Sequence, residues 1–247
     1  DKPFQKTSAD VQILADEELN FRVYNTTERI DAGARTSYFH NNIGGYHGAK
    51  LKRYQELMDM QISKGNTSVI NMLNAKYIIR KGNNSELIVT QNPGRLGAAW
   101  FVNSTIIVDD ADQEMTQLST FNPATEVLLD KRFGLEKQNF NSIGNISLSS
   151  YKPNHLIYNV NSNEEGFAVF SEIFYDKGWN AYIDGELLEH YRVNYVLRGM
   201  LLPKGLYDVE FKFEPKSVAI GSTIGLVCSI LIYLLLGFVG FKTFRKS

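Results

Sequence analysis

The residues best suited to chemistry are concentrated between positions 34 and 54. This stretch holds two histidines, three tyrosines and four Lys or Arg residues around a pair of adjacent glycines. Backbone N–H groups at a helix N-terminus that follows glycines can bind an anion such as a phosphate. Aromatic rings beside polar donors can hold a sugar. The predicted ligand-binding residues in this stretch are His40, Gly44, Gly45, Tyr46, His47, Lys50 and Arg53.

Two alternatives stay open at this point. The stretch is either a ligand-facing loop or a structured loop whose glycines only form a tight turn. Trp179 is a further candidate ligand-binding residue, because an exposed ring can stack on a carbohydrate. The alternative for Trp179 is a place in a hydrophobic core.

Other kinds of site are not supported by the sequence. His40 and His47 are too few for a metal, which needs at least three converging ligands. The motifs GxSxG and GxxxxGK[ST] are absent. The acidic residues Asp109, Asp110 and Asp112 lack the calcium-loop pattern and are typical of a capped helix start. We therefore assign no catalytic residue, no metal and no cofactor.

Charge and cysteine content limit the partners and the compartment. Lys and Arg total 26 and Asp and Glu total 27, which gives a formal net charge of -1. This balance, with no basic stripe, indicates no nucleic-acid partner. Cys228 is the single cysteine, so no disulfide can form within the chain. A polar part without thiols suits a location outside the cytoplasm.

Residues 218–241 contain neither a charged residue nor a proline. A helix of this length, at about 1.5 Å per residue, crosses the roughly 30 Å hydrocarbon layer of a bilayer. We predict a transmembrane helix over residues 216–241. Lys242, Arg245 and Lys246 follow, so the positive-inside rule predicts a cytoplasmic tail at 242–247 and an extracytoplasmic location for residues 1–216. Gly221 and Gly225 would let other membrane helices pack closely.

The part before this helix divides by pattern into two. Over residues 1–142, strands alternate with short helices, which predicts a small α/β domain. We expect one helix over residues 48–60 and one strand over residues 99–108. Residues 143–215 contain strand patterns only, with Asp184 and Gly185 as a two-residue hairpin turn, which predicts an antiparallel β-sandwich. The fold class is therefore α+β, and the last strand places the sandwich close to the bilayer.

Several segments resemble one family. FYDKGWNAYIDG (174–185), YRVNYVLR (191–198) and GLYDVEFKFEPKS (205–217) are similar to the C-terminal region of bacterial YfhO proteins. RTSYFHNNIGGYHGAKLKRY (35–54) and NAKYII (74–79) are similar to the larger members. The resemblance covers nearly the whole chain in order. YfhO proteins are large polytopic membrane proteins regarded as GT-C-type glycosyltransferases.

The resemblance implies that this chain is the extracytoplasmic C-terminal region and last transmembrane helix of such a protein. It implies a role in transfer of a sugar from a polyprenyl-phosphate carrier to a cell-envelope acceptor. The catalytic acid of GT-C enzymes lies in an early external loop that no residue here matches. The implied partners are membrane lipid, other transmembrane helices of the parent protein, and a polyprenyl-phosphate sugar or glycan. The alternative is a non-enzymatic, membrane-anchored carbohydrate-binding or scaffold module.

Overall fold

The computed structural model describes residues 4–141 and 143–245. These residues contain three β-sheets and six α-helices. A π-helical turn at Met58–Ile62 and a 3-10 turn at Lys131–Phe133 add to them. The helices are α1 (Ser8–Leu14), α2 (Arg35–Phe39), α3 (Lys52–Leu57), α4 (Thr67–Met72), α5 (Ala111–Gln117) and α6 (Lys216–Phe244). The strands are β1 (Arg22–Asn25), β2 (Ala75–Lys81), β3 (Leu87–Gln91), β4 (Ala99–Val102), β5 (Ser104–Val108), β6 (Glu126–Asp130), β7 (Gly144–Lys152), β8 (His155–Ser162), β9 (Gly166–Ile173), β10 (Trp179–Ile183), β11 (Glu186–Leu188), β12 (Tyr191–Val193), β13 (Leu197–Leu202) and β14 (Gly205–Phe213).

The N-terminal sheet has the order β1-β2-β3, with a parallel and an antiparallel pair. Helix α1 packs beside it, and Ile13 shares a small core with Val23 and Ile79. A capping box starts α1, because the Thr7 side chain accepts the Asp10 N–H while the Asp10 carboxylate accepts the Thr7 N–H. Such reciprocal bonds satisfy two of the free N–H groups at a helix start.

A six-stranded sheet has the order β4-β9-β13-β12-β6-β5. Its two edge strands, β4 and β5, follow each other in the chain with only Asn103 between them. The single strand predicted over residues 99–108 was therefore wrong, since its halves pair with different partners, β9 and β6. Consecutive Cα atoms are about 3.8 Å apart, so the sheet curls until its edges meet. It takes strands from both sides of residue 143, whereas the three-stranded sheet lies wholly before this residue and the five-stranded sheet wholly after it.

A five-stranded antiparallel sheet, β11-β10-β14-β8-β7, covers the outer face of the curled sheet. Their shared core holds Tyr158, Phe170 and Phe211, whose rings meet edge to face at centroid distances of 4.9 to 6.0 Å. Asp184 and Gly185 join β10 to β11 with φ values of 50° and 82°, which confirms the predicted hairpin. The two sheets form the sandwich-like layer of an α+β fold, as predicted.

The inner face of the curled sheet encloses a second core. Along β9, Phe167 and Val169 point into this core, whereas Ala168 and Phe170 point into the sandwich. This alternation follows from the two-residue period of a strand. Helices α3, α4 and α5 supply Leu57, Val69, Met72 and Met115 to the inner core.

Helix α6 follows β14 after only Glu214 and Pro215. Its segment Lys216–Val239 has a mean hydropathy of 2.3 and none of it is buried, so it is long and apolar enough to cross a membrane. The predicted C-terminal apolar helix is thus present. Lys246, used in the prediction of a cytoplasmic tail, lies outside the described residues.

Candidate functional site

His40 contacts α1 rather than open solvent. Its side chain is only 3% exposed, and its Nε2 lies 3.0 Å from Oδ1 of the fully buried Asp10. The Arg35 guanidinium donates to the other oxygen of the same carboxylate. His40 and Arg35 therefore join the loop to the first helix.

The glycine pair forms a tight turn. The Gly44 N–H donates to Asn42 Oδ1 at 3.2 Å, and the Gly45 N–H donates to the Ile30 carbonyl at 2.7 Å. A side chain at Gly44 would collide with that carbonyl. Gly45 has a φ of 107°, which favours glycine. The backbone here is folded on itself, and its donors are already used.

Helix α3 begins at Lys52, because Leu51 before it has extended backbone angles. The expected helix start at residue 48 was wrong, so the glycine pair does not precede a helix directly. Tyr46 is 73% exposed. His47 accepts the Ala49 N–H at 3.1 Å, and Lys50 donates to Gln55 Oε1 at 3.0 Å. These side chains surround the loop without converging on one point.

Two of the predicted residues line cavities: His40 lines one of about 400 Å³ between residues 13–21 and 37–41, and Arg53 lines a groove built from more distant segments. The groove lies between residues 51–54 and residues 173–176, with Arg192 and Tyr195 completing it, and has a volume of about 280 Å³. The Arg53 guanidinium lies 4.4 Å from the centre of the Tyr195 ring and donates to Glu114 Oε2 at 3.1 Å. We call this cavity the Arg53 groove.

Arg192 lines the Arg53 groove and carries two unpaired hydrogen-bond donors buried behind its surface. Its side chain is 14% exposed, and its Nε and Nη2 are buried with no hydrogen-bond partner among the described residues. The nearest carboxylate oxygen, on Asp130, lies 3.9 Å from Nη2. Burial, helped by Arg53, lowers the pKa of Arg192. An arginine with free donors in a cavity suits a phosphate or carboxylate ligand.

Glu114 is completely buried beneath the Arg53 groove. Its Oε1 accepts the Tyr195 N–H at 2.8 Å while Oε2 accepts from Arg53. Burial raises the pKa of Glu114, and the opposing effects of the Tyr195 N–H and the two arginines do not cancel it. The carboxyl group can therefore take up a proton more readily than an exposed glutamate, which would leave the groove more positive.

Tyr195 is held by a turn with unusual backbone angles. Asn194 and Tyr195 have φ values of 47° and 73°. The turn is fixed because Asn194 Oδ1 accepts the Leu128 N–H at 2.8 Å. The Tyr195 hydroxyl donates to Glu56 Oε2 at 2.6 Å. Burial and this contact raise the pKa of Tyr195 to about 12.

Trp179 lies elsewhere. It packs against the sandwich core, with the Arg198 guanidinium 4.2 Å from its ring centre and the Phe213 ring at 5.4 Å. The structure does not bring it into the Arg53 groove. Glu114, Arg192 and Tyr195 were not singled out from the sequence. The one signal for the latter two was their place in the YfhO-like segment at residues 191–198.

The Arg53 groove adjoins the start of α6. Tyr175, which lines the groove, has its ring 6.5 Å from that of Phe213. Three residues further on, the Gly178 carbonyl accepts the Glu214 N–H at 2.7 Å. Only Pro215 then separates Glu214 from the apolar helix. Across the described residues, no group of His, Cys, Asp and Glu could hold a metal ion.

Comparison with known proteins gives one match. Residues 135–225 match the family model described as bacterial membrane protein YfhO. The match covers the five-stranded sheet, β9, β12 and β13 of the curled sheet, and the first turns of α6. It confirms the resemblance over residues 135–225, and it supports association with a membrane; the similarity proposed for residues 35–54 and 74–79 stays a prediction. No curated protein and no solved structure gives a significant match to the chain.

Proposed function

We propose that this chain is the extracytoplasmic C-terminal part of a polytopic, YfhO-type membrane glycosyltransferase. In this role it assists transfer of a sugar from a polyprenyl-phosphate carrier to a cell-envelope acceptor. The YfhO match over residues 135–225 supports the type of protein, and the apolar segment Lys216–Val239 supports a membrane anchor. Lys242 and Arg245 beyond the span favour a cytoplasmic tail, so the sheets would lie on the outer side.

The observation that carries the proposal is the pair of arginines in a cavity beside α6. A polyprenyl carrier keeps its hydrocarbon tail in the bilayer, so its phosphate and sugar stay at the surface. Arg192 places a guanidinium charge in the wall of this cavity, and its buried, unpaired Nε and Nη2 would reach such a phosphate after a rotation of the side chain; Arg53 adds a second positive charge. Tyr54, Tyr175 and Tyr195 line the same cavity and supply rings for the apolar face of a sugar.

The chain's contribution would be binding and orientation rather than the chemical step. The Arg53 groove would hold the carrier's head group next to the membrane helices of the parent protein. Those helices would supply the catalytic acid. Correct placement of two reactants contributes much of an enzyme's rate enhancement, so a groove without a nucleophile can still be essential for transfer.

The proposal is tested by Arg192→Met in the full-length parent protein. Methionine keeps the apolar length but removes the donors, and no hydrogen bond of Nε or Nη2 is lost. A charged hydrogen bond contributes about 1.5–3 kcal/mol, so we expect glycosylation of the acceptor polymer to fall about tenfold or more. The measurement is the sugar content of isolated cell envelopes at matched protein levels.

Arg29→Met is the matched control. Arg29 is 79% exposed, pairs only with the nearby Asp31 and does not line the groove, so transfer should stay normal. Normal transfer with Arg192→Met would contradict the proposal. If transfer stayed normal while binding of the purified chain to the polymer fell, the non-enzymatic carbohydrate-binding alternative would be favoured.

A further inference from the structure

The register of the five-stranded sheet places two turns beside the start of α6. Within strand β14, Phe213 lies opposite Trp179 of β10 and Lys212 lies opposite His155 of β8. The turn between β7 and β8 and the segment between β9 and β10 therefore lie at the end of the sandwich where the helix begins. Two hydrogen bonds fix them there, from the Phe213 N–H to the Asn154 carbonyl at 2.9 Å and from the Glu214 N–H to the Gly178 carbonyl.

These two turns, residues 151–154 and 175–178, carry exposed aromatic and basic side chains. We call them the helix-side rim. Tyr151 is 40% and Tyr175 39% exposed. Lys152 is exposed and has no ion pair with any residue that the structure describes. Lys177 pairs with Asp176 at 3.0 Å on the surface.

The acidic group nearest the helix, Glu214, stays negatively charged, because hydrogen bonds from two neutral side chains lower its pKa. Glu214 accepts hydrogen bonds from Asn180 at 2.9 Å and from the Tyr182 hydroxyl at 2.7 Å. Lys216, the first residue of α6, adds another exposed positive charge. The surface around the helix start therefore carries three lysines against the two carboxylates of Asp176 and Glu214, beside tyrosine rings.

We propose that the helix-side rim docks on the phospholipid headgroups of the bilayer that α6 enters. Tyr and Trp side chains favour the membrane–water interface, where the ring meets the acyl boundary and the hydroxyl stays wet. Lysines near that surface are attracted by anionic headgroups. Because only Glu214 and Pro215 join β14 to α6, the rim has no length of linker to move away. In this arrangement Lys152 binds lipid phosphates, and Tyr151 and Tyr175 lie at headgroup depth.

This docking does not depend on sugar transfer. It concerns the outer surface of the rim, whereas the proposed function concerns the interior of the Arg53 groove; the two share Tyr175 and Asp176. When the helix-side rim docks in this way, the edge of the Arg53 groove that Tyr175 forms faces the lipid surface. If Arg192→Met did not reduce sugar transfer, the docking proposal would still stand. If the rim did not dock on lipid, the role of the Arg53 groove would still be decided by the Arg192→Met experiment.

The other end of the same sheet provides an internal comparison. Leu206, in β14, is 82% exposed. At about 3.4 Å per residue along a strand, Leu206 lies roughly 24 Å from Phe213. The turn before it carries Lys204, an exposed lysine like Lys152. An end that is equally exposed but far from the helix should not touch lipid.

The test uses the full chain with Cys228→Ser, placed in nanodiscs that contain phosphatidylglycerol and phosphatidylcholine. A fluorophore is attached through Asn154→Cys at the rim or through Leu206→Cys at the far end. A nitroxide on the lipid headgroups quenches only nearby fluorophores. We expect quenching at position 154 to exceed that at position 206 by at least threefold. Equal quenching at the two positions would overturn the proposal.

A second comparison tests the role of charge. With the label at position 154, Lys152→Glu should reduce quenching by about half in discs that contain phosphatidylglycerol. Lys204→Glu, the matched change at the far end, should leave it unchanged. If Lys152→Glu has no more effect than Lys204→Glu, the assignment of Lys152 to the lipid phosphates is overturned.

Discussion

Asp10 and Glu114 are both completely buried and both contact an arginine, yet their pKa values shift in opposite directions. Burial raises the pKa of each carboxyl group. Asp10 receives four hydrogen bonds, from the Thr7 N–H and hydroxyl, from Arg35 and from His40. These outweigh burial and hold its pKa well below the ordinary value.

Glu114 receives fewer donors. Arg53 and the Tyr195 N–H contact it, and burial prevails, so its pKa is raised. Four hydrogen bonds thus outweigh burial at Asp10, whereas at the more deeply desolvated Glu114 two donors do not. The Asp10 carboxylate connects helix α1 to Arg35 and His40, and both of its oxygens accept hydrogen bonds. The Glu114 region, beneath the Arg53 groove, leaves Arg192 donors unused and a carboxyl group ready to accept a proton.

The largest effect is expected when the Asp10 carboxylate, which accepts four hydrogen bonds, is removed. Asp10→Ala leaves the buried His40 without its partner, removes the ion pair of Arg35 and removes the half of the α1 capping box in which the carboxylate accepts the Thr7 N–H. Breaking a buried ion pair costs about 3–5 kcal/mol, so we expect the free energy of unfolding to fall by about 3 kcal/mol. Urea unfolding of the detergent-solubilised chain, followed by tryptophan fluorescence, measures it. Asp109→Ala, which removes an exposed pair with Lys131, should cost less than about 1 kcal/mol.

Glu114→Gln should have a smaller effect. The amide keeps an oxygen for one donor, and the raised pKa indicates that a neutral group is tolerated at this site. We expect a loss of about 1–2 kcal/mol in the same assay, since one charge-assisted bond is weakened. A loss greater than that of Asp10→Ala would refute the contrast between the two sites.

The two carboxylates should also give opposite pH dependences. The pKa of Asp10 is lowered from 3.8, so its stabilising effect is present above about pH 4 and is lost on acidification. The pKa of Glu114 is raised from 4.5, so the folded protein binds this proton more tightly. Its contribution therefore declines as the pH rises above about 4.5.

Melting temperatures from pH 3 to pH 7 check both signs. Asp10→Asn should flatten the loss of stability below about pH 4. Glu114→Gln should remove part of the decline above about pH 4.5. If both substitutions altered the same limb of the profile, the opposite assignment of the two pKa shifts would fail.

The smallest expected effect concerns Tyr195. Tyr195→Phe removes the hydrogen bond to Glu56 but keeps the ring beside Arg53. A hydrogen bond to a charged group contributes about 1.5–3 kcal/mol, and because the Glu56 side chain is 34% exposed to competing water, we expect a loss of about 1 kcal/mol. Tyr191→Phe, which removes a bond to the exposed Glu189, is the matched control. A loss above about 2 kcal/mol would show that the hydroxyl, and not the backbone turn, positions this residue.

Much of the fold could be predicted from local patterns in the amino-acid sequence. Alternating residues predicted β14, the uncharged run predicted α6, and Asp184 with Gly185 predicted a hairpin. Pattern did not reveal which strands pair. The parallel pair β5 and β6 looked like part of a separate α/β domain, but β4, β5 and β6 close a sheet with β9, β12 and β13. Strand pairing between distant segments depends on tertiary packing that a local period does not encode.

The site was less predictable. Composition pointed to Arg53, which lines the groove, and also to His40, which binds Asp10 instead. Glu114 is 61 residues from Arg53 and 81 from Tyr195, so spacing could not connect them. The left-handed backbone at Tyr195 has no glycine to reveal it. Such a position is set by the surrounding structure and not by the residue type.

The closure of the curled sheet at Asn103 has a consequence for biosynthesis. Strand β4 can pair only after β9 has been synthesised. The sheet is continuous only when β12 and β13 have paired between β9 and β6. When synthesis has passed residue 142 but has not reached β9, strands β4, β5 and β6 are present without the strands that join them, and the apolar lining of this part of the sheet is open. This part must wait, accessible to chaperones and proteases, until residue 202 has emerged.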